Sequence, residues 1–189
     1  MYRSVVLGFS AGGIALAQQI LAALPEQYRL PIIIVGHLPN GQTSQLASVL
    51  DTSTSINVVQ AADKTLPQPG HAYVAPANYH LLVEQSGQLA LSVDEPVNSV
   101  RPSIDVLFET AAEYYQHDVV AVALSGASSD GVAGMKQVKV LGGLTICLRP
   151  DGTTFNTLPR RIVEAIDVDY QEDPEGIISL LNAMAENTP

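Results

Sequence analysis

The chain has 189 residues, with nine Lys and Arg against nineteen Asp and Glu, and its formal charge of −10 together with 5% aromatic residues excludes nucleic acid as an expected partner. Its single cysteine, Cys147, excludes an intramolecular disulfide and leaves no cysteine cluster for a metal ion. The longest apolar run, around Leu30 to Leu38, is shorter than the ~18 to 20 residues that span a bilayer, and the N-terminus lacks a signal-peptide pattern. We therefore expect one cytoplasmic domain over residues 1–189, without membrane insertion.

Strand-like and helix-like segments alternate along the first sixty residues. Strands are predicted at Val5–Leu7, Pro31–Gly36 and Ile56–Gln60. Helices are predicted between them at Ile14–Leu24 and around Gln42–Leu50. This βαβ order is typical of a parallel sheet that carries helices on both faces.

The pattern changes in the middle of the chain, where short apolar runs separated by turns predict an inserted β-hairpin. These runs are His71–Val74, Leu81–Glu84 and Gln88–Val93. The alternation then returns with helices at Ser103–Tyr115, Gly131–Leu141, Thr157–Ala165 and Pro174–Met184, and with strands at Val119–Leu124 and Leu144–Leu148. The predicted fold is α/β and doubly wound, with a mostly parallel sheet, helices on both faces and the inserted hairpin.

A glycine turn, Gly8-Phe9-Ser10-Ala11-Gly12-Gly13, joins the first strand to the first helix. A dinucleotide-binding turn would carry at Ser10 the glycine that lets pyrophosphate approach, so a nucleotide-binding oxidoreductase is disfavoured. A hydroxyl at this point can act as a nucleophile, and the free N–H groups of Ala11 and Gly12 can stabilise an oxyanion beside it. The alternative is a serine that only forms hydrogen bonds within the turn.

His37 stands at the end of the second strand, where a dinucleotide-binding fold would carry an acidic residue for the ribose. If the first two strands are neighbours in a parallel sheet, their carboxyl ends lie side by side and bring His37 close to Ser10. An imidazole can accept a serine proton near neutral pH. The alternative is a structural histidine at a strand end.

Asp130 is the predicted carboxylate that orients the imidazole. It lies in the loop 125–131, which follows the apolar strand Val119–Leu124 and so emerges at the same sheet edge. Its alternative role is to cap the N-terminus of the following helix. Three other acids lack a comparable approach from a buried strand: Asp63, Asp105 and Asp151.

Five segments, in order along the chain, resemble the catalytic domain of the chemoreceptor protein-glutamate methylesterase, the CheB family. They are Gly8–Gly13, Gly36–Pro39, Pro69–Pro76, Arg101–Phe108 and Ser125–Met135. The resemblance implies that Ser10, His37 and Asp130 form a Ser-His-Asp triad. Two departures, Ala127–Ser129 for the family's Met-Gly-Asn and Thr157–Pro159 for its Gly-Met-Pro, replace methionine at Ala127 and Leu158. We expect both positions to lie on loops that shape the substrate cleft.

The resemblance also implies a function in chemotaxis signal transduction. It predicts a hydrolase that removes methyl esters from glutamates, and deamidates selected glutamines, on the cytoplasmic helices of methyl-accepting chemoreceptors. Neither metal nor organic cofactor is expected. Arg101, before the third long helix, is predicted to orient the acidic substrate segment or the wall of the active site, against the alternative of a surface salt bridge.

Two further expectations concern regulation and activity. The family usually carries an N-terminal receiver domain controlled by phosphorylation, and no receiver domain is predicted in this chain. Regulation is therefore expected to be absent, supplied by a separate receiver-domain protein, or lost by truncation. The altered loops also leave open a different class of function, a catalytically weakened adaptor that binds receptor or kinase helices.

Overall fold

The computed structural model describes residues 1–37, 45–52 and 54–186, and within them a parallel β-sheet forms the centre of the domain. The strands are β1 Ser4–Phe9, β2 Ile32–Gly36, β3 Asn57–Gln60, β4 His71–Val74, β5 His80–Val83, β6 Leu89–Ser92, β7 Val119–Ala123, β8 Leu144–Leu148 and β9 Tyr170–Glu172. The α-helices are α1 Gly13–Ala22, α2 Leu46–Asp51, α3 Ile104–Tyr115, α4 Val132–Val140, α5 Thr157–Ala165 and α6 Pro174–Glu186.

Seven of these strands, all parallel, form the main sheet in the order β3-β4-β2-β1-β7-β8-β9. The central strand β1 pairs with β2 on one side and with β7 on the other. The chain therefore winds outward in both directions from β1. Such a point of reversal opens a crevice at the carboxyl ends of the strands, which is where α/β proteins bind their ligands.

Helices cover both faces of the sheet because alternate strand residues point to opposite sides. Val5 and Leu7 of β1 pack under α1, α2 and α6, with Ile20 and Leu181 in the same apolar cluster. Val6 belongs to the other cluster, which collects apolar side chains of α3, α4, α5 and the β5-β6 hairpin. Every residue of the central strands β1, β2 and β7 is buried, as expected for a parallel sheet covered on both sides.

The structure confirms the predicted α/β fold with one reassignment and one addition. The run His71–Val74 is not part of the inserted hairpin, because it pairs in parallel with both β2 and β3 in the main sheet. The hairpin consists of β5 and β6 alone. Strand β9 has no counterpart among the predicted strands, because its three residues carry little apolar signal.

The remaining predicted segments lie within a few residues of their observed bounds. The start of the predicted helix around Gln42–Leu50 lies outside the described residues, and its later part corresponds to α2. None of the helices in the described part of the chain is long and apolar enough to cross a membrane.

Candidate active site

Ser10 directly follows β1, at the entrance to α1. Its backbone N–H donates to the carbonyl of Ser125, 2.9 Å away, which ties the turn to the loop after β7. Gly12 caps α1 in the left-handed conformation, with φ 76°, and no side chain bonds the N-terminus of the helix. Between described residues, the N–H groups of Ala11 and Gly12 make no hydrogen bond. The turn thus leaves two backbone donors beside the serine hydroxyl.

Gly12 is a position where only glycine fits. A Cβ atom there would lie 2.7 Å from the ring of Phe155, and the positive φ disfavours any L side chain. Phe155 is 44% exposed, and its carbonyl accepts a hydrogen bond from the N–H of Gly126. The ring therefore borders the open N-terminus of α1.

His37 lies at the neighbouring strand end, as predicted. β1 and β2 are parallel neighbours with Phe9 opposite Gly36, and the backbone N–H of His37 donates to the carbonyl of Phe9 over 2.9 Å. The His37 side chain is only 11% exposed. The structure therefore confirms the strand pairing that sets Ser10 and His37 at adjacent positions on the sheet edge.

Asp130 reaches His37 from the other side of β1. Its side chain is fully buried, and its Oδ2 lies 3.1 Å from the Nε2 of His37. The contact is close, although neither ring nitrogen makes a hydrogen bond within the described residues. The distance makes it a strong electrostatic contact if the ring is protonated. Ser10 leaves the strand that lies between those carrying His37 and Asp130.

Several donors hold the Asp130 carboxylate in its ionised form. The Ser103 hydroxyl and the Asn98 side-chain amide donate to Oδ1 at 2.6 and 2.9 Å, and the Ile104 backbone N–H donates to Oδ2 at 2.6 Å. Burial alone would raise the pKa of Asp130, but the contacts with His37 and with these donors outweigh it and hold the pKa below its usual value.

The alternative role of Asp130, as the cap of the following helix α4, is wrong. The carboxylate that binds the N-terminus of α4 belongs to Asp105, whose Oδ1 accepts the N–H groups of Gly131 and Gly134 at 2.9 and 2.7 Å. Asp130 instead binds Ile104, the first residue of α3. Each of the two packed helices α3 and α4 is thus held at its N-terminus by a carboxylate from the neighbourhood of the other.

Asp105 is the site acid that the sequence analysis passed over. It is only 4% exposed, and the pKa of its carboxyl is raised, chiefly by burial and also by the nearby charge of Asp130. The Asn98 amide lies between the two acids and donates to Asp105 Oδ2 at 2.8 Å. In the sequence Asp105 lies inside a helix, and only tertiary packing brings it to the loop after β7.

A cleft of about 950 Å³ is lined by Asp105 and Asn98 and by residues of α4 and α5. Ala127 and Thr157 line it, so both altered segments contribute to its wall.

The expectation that Leu158 lies on a cleft-lining loop is wrong. Leu158 is fully buried in the first turn of α5, and its N–H donates to the carbonyl of Gly126 at 3.0 Å, so it supports the loop from beneath.

Arg101 binds backbone carbonyls. Its Nη1 donates to the carbonyls of Val93 and Asp94 at 2.7 and 2.8 Å, and it forms no ion pair with a carboxylate in the described residues. The alternative of a surface salt bridge is therefore wrong. A role of Arg101 toward the substrate stays a prediction.

The described residues contain no group of three or more His, Cys, Asp or Glu side chains placed to bind a metal ion. The arrangement at the sheet edge instead offers a hydroxyl, an imidazole paired with a buried carboxylate, and open backbone amides. These are the parts that acyl transfer requires.

Comparison with known proteins identifies the family. The model of the CheB methylesterase family matches residues 5–181. The chain is 40% identical over 186 residues to a protein of Leptospira interrogans, covering 98% of this chain and 96% of the relative. It is 34% identical to the protein-glutamate methylesterase/protein-glutamine glutaminase of Thermotoga maritima, covering 95% of this chain and 54% of that protein.

The solved structures agree. The crystal structure of the Thermotoga maritima CheB methylesterase catalytic domain superposes with a TM-score of 0.91 at 32% sequence identity, covering 97% of this chain and 99% of that one. The sequence match and the fold match thus extend over nearly the whole chain. We conclude that the chain belongs to the CheB methylesterase family.

Proposed function

We propose that the chain is a protein-glutamate methylesterase that also deamidates glutamine, with Ser10 as nucleophile, His37 as general base and Asp130 as the carboxylate that orients His37. The observation that carries this proposal is the buried contact of 3.1 Å between His37 and Asp130, across the strand β1 that directly precedes Ser10. Family membership supports the reaction class, since relatives carry the names methylesterase and glutaminase.

The proposed reaction proceeds through an acyl-enzyme. The Ser10 hydroxyl attacks the ester carbonyl while His37 takes its proton, and the N–H groups of Ala11 and Gly12 stabilise the resulting oxyanion. The intermediate collapses as methoxide leaves with the proton from His37, giving methanol and an ester of Ser10. Water, deprotonated by His37, then releases a glutamate carboxylate. A glutamine substrate follows the same steps and releases ammonia.

In the proposed mechanism the two ring nitrogens of His37 have different duties. Nε2 faces Asp130, so Nδ1 is left to exchange protons with Ser10 and the leaving group. Nδ1 is buried and makes no hydrogen bond with the described residues. An ionised Asp130 favours the tautomer with the proton on Nε2, which leaves a lone pair on Nδ1 for the serine proton.

The proposed substrates are methylated glutamates on the cytoplasmic helices of chemoreceptors, which places the enzyme in the cytoplasm and in chemotaxis adaptation. A separate receiver-domain protein is the proposed regulator. Ala127 and Thr157 line the cleft beside the site, so their replacement of the family residues is expected to alter receptor preference. Arg101 is expected to support the wall of the site.

The adaptor function is the second candidate, and it is favoured by the contact between His37 and Asp130, which lacks a hydrogen bond within the described residues. If that contact does not tighten when a substrate binds, the base stays poorly oriented and the chain binds helices without hydrolysing them. Catalytic hydrogen bonds are often long or misaligned before substrate binds, so we prefer the esterase.

Methanol release from methylated receptor fragments tests the proposal. The wild type should release methanol with multiple turnovers, and Ser10→Ala should lose on the order of 10⁴ to 10⁶ of kcat. The exposed Ser55 provides the control, since Ser55→Ala also removes a hydroxyl but should retain wild-type turnover. Binding of the fragments without methanol release would instead establish the adaptor.

A further inference from the structure

Residues 93–100, all exposed except the half-buried Val100, lie between β6 and α3, and we call this segment the strap. Side chains outside the strap bind three consecutive backbone carbonyls at its start. Arg101 donates to those of Val93 and Asp94, and His80 Nε2 lies 3.1 Å from that of Glu95. The backbone N–H of Ser103 donates to His80 Nδ1, so Nε2 carries the proton and donates to Glu95. The strap is thus fixed although it is exposed.

The strap ends in a tight turn that carries Asn98. Val97 and Val100 exchange backbone hydrogen bonds of 3.1 and 2.9 Å around the two central residues. Asn98 and Ser99 both have positive φ, 51° and 65°, which is the signature of a type I′ turn. Asparagine tolerates this conformation, so the turn alone could explain the residue type.

The Asn98 side chain, however, makes contacts that a turn does not require. Its Nδ2 donates to Oδ2 of Asp105 at 2.8 Å and to Oδ1 of Asp130 at 2.9 Å. Both N–H bonds of the amide are thereby used, and each binds a buried carboxylate. A surface turn thus places a side-chain amide between the two acids of the site.

We propose that Asn98 is a positioning residue, which fixes the Asp130 carboxylate toward His37 and separates it from Asp105. This inference rests on the proposed function. The Asn98 amide shares Oδ1 of Asp130 with the Ser103 hydroxyl, and Oδ2, which also accepts the Ile104 N–H, is the oxygen that faces His37.

The other donors to Asp130 also orient its carboxylate, but neither of them donates to Asp105 within the described residues. Ser103 and Ile104 belong to the N-terminus of α3, and they bind one oxygen each. Asn98 is the donor that also binds Asp105, so it holds the two carboxylates at a fixed separation. Without the amide, two buried acids would face each other with less compensation for their mutual repulsion.

A matched pair of glycine variants separates this role from turn formation. Glycine adopts positive φ freely, so Asn98→Gly keeps the turn and deletes the amide, whereas Ser99→Gly makes the same backbone change at the next position. With a small activated ester, Asn98→Gly should lower kcat about tenfold or more with an unchanged KM, because hydrogen bonds to charged groups contribute on that scale. Ser99→Gly should stay within about twofold of wild type.

A second variant makes the contact repulsive. Asn98→Asp keeps a residue that tolerates the turn but adds a third carboxylate beside Asp105 and Asp130. We expect a larger loss of kcat than in Asn98→Gly. Equal thermal midpoints for Asn98→Gly and Ser99→Gly would show that the loss of kcat does not come from unfolding.

A carbon NMR titration of the Asp130 carboxyl provides a readout independent of turnover. Loss of a hydrogen bond to the carboxylate should raise the pKa of Asp130 in Asn98→Gly but not in Ser99→Gly. If the wild type is active and Asn98→Gly stays within twofold of it, the inference is overturned while the proposed function stands. If the wild type is inactive, the proposed function fails, and an unchanged pKa of Asp130 in Asn98→Gly then overturns the inference as well.

Discussion

The N-terminus of α1 differs from those of α3 and α4. α1 begins at a left-handed glycine without a side-chain cap, and the N–H groups of Ala11 and Gly12 make no hydrogen bond within the described residues. α3 is bound by Ser103 and Asp130, and α4 by Asp105. All three helices start at the same edge of the sheet, yet two have their donors satisfied by buried groups.

The difference separates a binding function from a supporting function. Free N–H groups at a helix N-terminus attract negative charge, so α1 is prepared for an anion that forms beside Ser10. Asp130 binds the N-terminus of α3, and Asp105 of α3 binds the N-terminus of α4, so the two helices are linked. Asp130 is the carboxylate that contacts His37. The site thus combines open donors on one side with satisfied donors on the other.

The largest expected effect comes from replacing Asp130, because this carboxylate contacts His37 and also binds the N-terminus of α3. Asp130→Asn should lower kcat by roughly 10³ to 10⁴, because an amide cannot favour the imidazolium of His37 or select its tautomer. The amide N–H₂ must also face a donor such as Asn98, which should cost about 1 to 3 kcal/mol of unfolding free energy. Steady-state kinetics and urea unfolding measure both. Near-wild-type turnover together with a large loss of stability would make Asp130 a purely structural residue.

Closing the open N-terminus of α1 should have the next largest effect. In Gly12→Ala the new methyl group meets the ring of Phe155 and the backbone is strained at positive φ, so the amides should move from their present positions. We expect kcat to fall by about 10- to 100-fold, since one oxyanion donor contributes on that scale or more. Gly152→Ala is the control, because a Cβ atom at Gly152 meets nothing within 4 Å. Unchanged kinetics in Gly12→Ala would contradict a role for these amides.

Removing the carboxylate that caps α4 should lower the free energy of unfolding more than it affects the oxyanion donors at α1. Asp105→Ala leaves the N–H groups of Gly131 and Gly134 without their acceptor, which should cost about 2 kcal/mol of unfolding free energy. The exposed Asp151 offers a control, and Asp151→Ala should change stability by less than about 0.5 kcal/mol. Chemical denaturation of both variants measures the difference. Equal stability of the two variants would show that the cap contributes little.

The smallest effects concern pH, where the two acids should act in opposite directions. The pKa of Asp130 is lowered by folding, so its charge stabilises the fold above about pH 4, and this contribution is lost as the pH falls through the folded value. The pKa of Asp105 is raised, chiefly by burial, so its ionisation costs stability as the pH rises above about 4.

The corresponding asparagine variants test these signs. As the pH falls from about 6 to about 3, the advantage of wild type over Asp130→Asn should shrink, while wild type should gain relative to Asp105→Asn. Unfolding free energies measured across this range check both slopes. Parallel slopes for the two variants would contradict the assignment of opposite pKa shifts.

Much of the fold and part of the site could be predicted because the responsible signals are local. Alternating strand and helix patterns predicted the sheet, and the position of Ser10 and His37 after consecutive parallel strands predicted their proximity. The short strand β9 was missed because its residues, Tyr170 to Glu172, are polar or exposed. β4 was misassigned because its length and the following turns resembled those of the hairpin.

The parts that could not be predicted depend on tertiary contacts. Asp105 lies in the first turn of α3, and nothing local indicates that its carboxylate binds α4. Asn98 was not among the predicted site residues, although its amide binds two acids. Leu158 did carry a usable signal, since Leu158 and Ile162 are four residues apart in an amphipathic helix and both are buried.

Labelling with a fluorophosphonate probe tests the central claim most directly, because such a probe reacts only with a serine that a neighbouring base activates. Mass spectrometry of the wild-type chain should find one phosphonylated residue, Ser10, with labelling abolished in Ser10→Ala and greatly slowed in Asp130→Asn. A folded wild-type chain that is not labelled, or a label on another serine, would contradict the proposal that Ser10, His37 and Asp130 form a working triad.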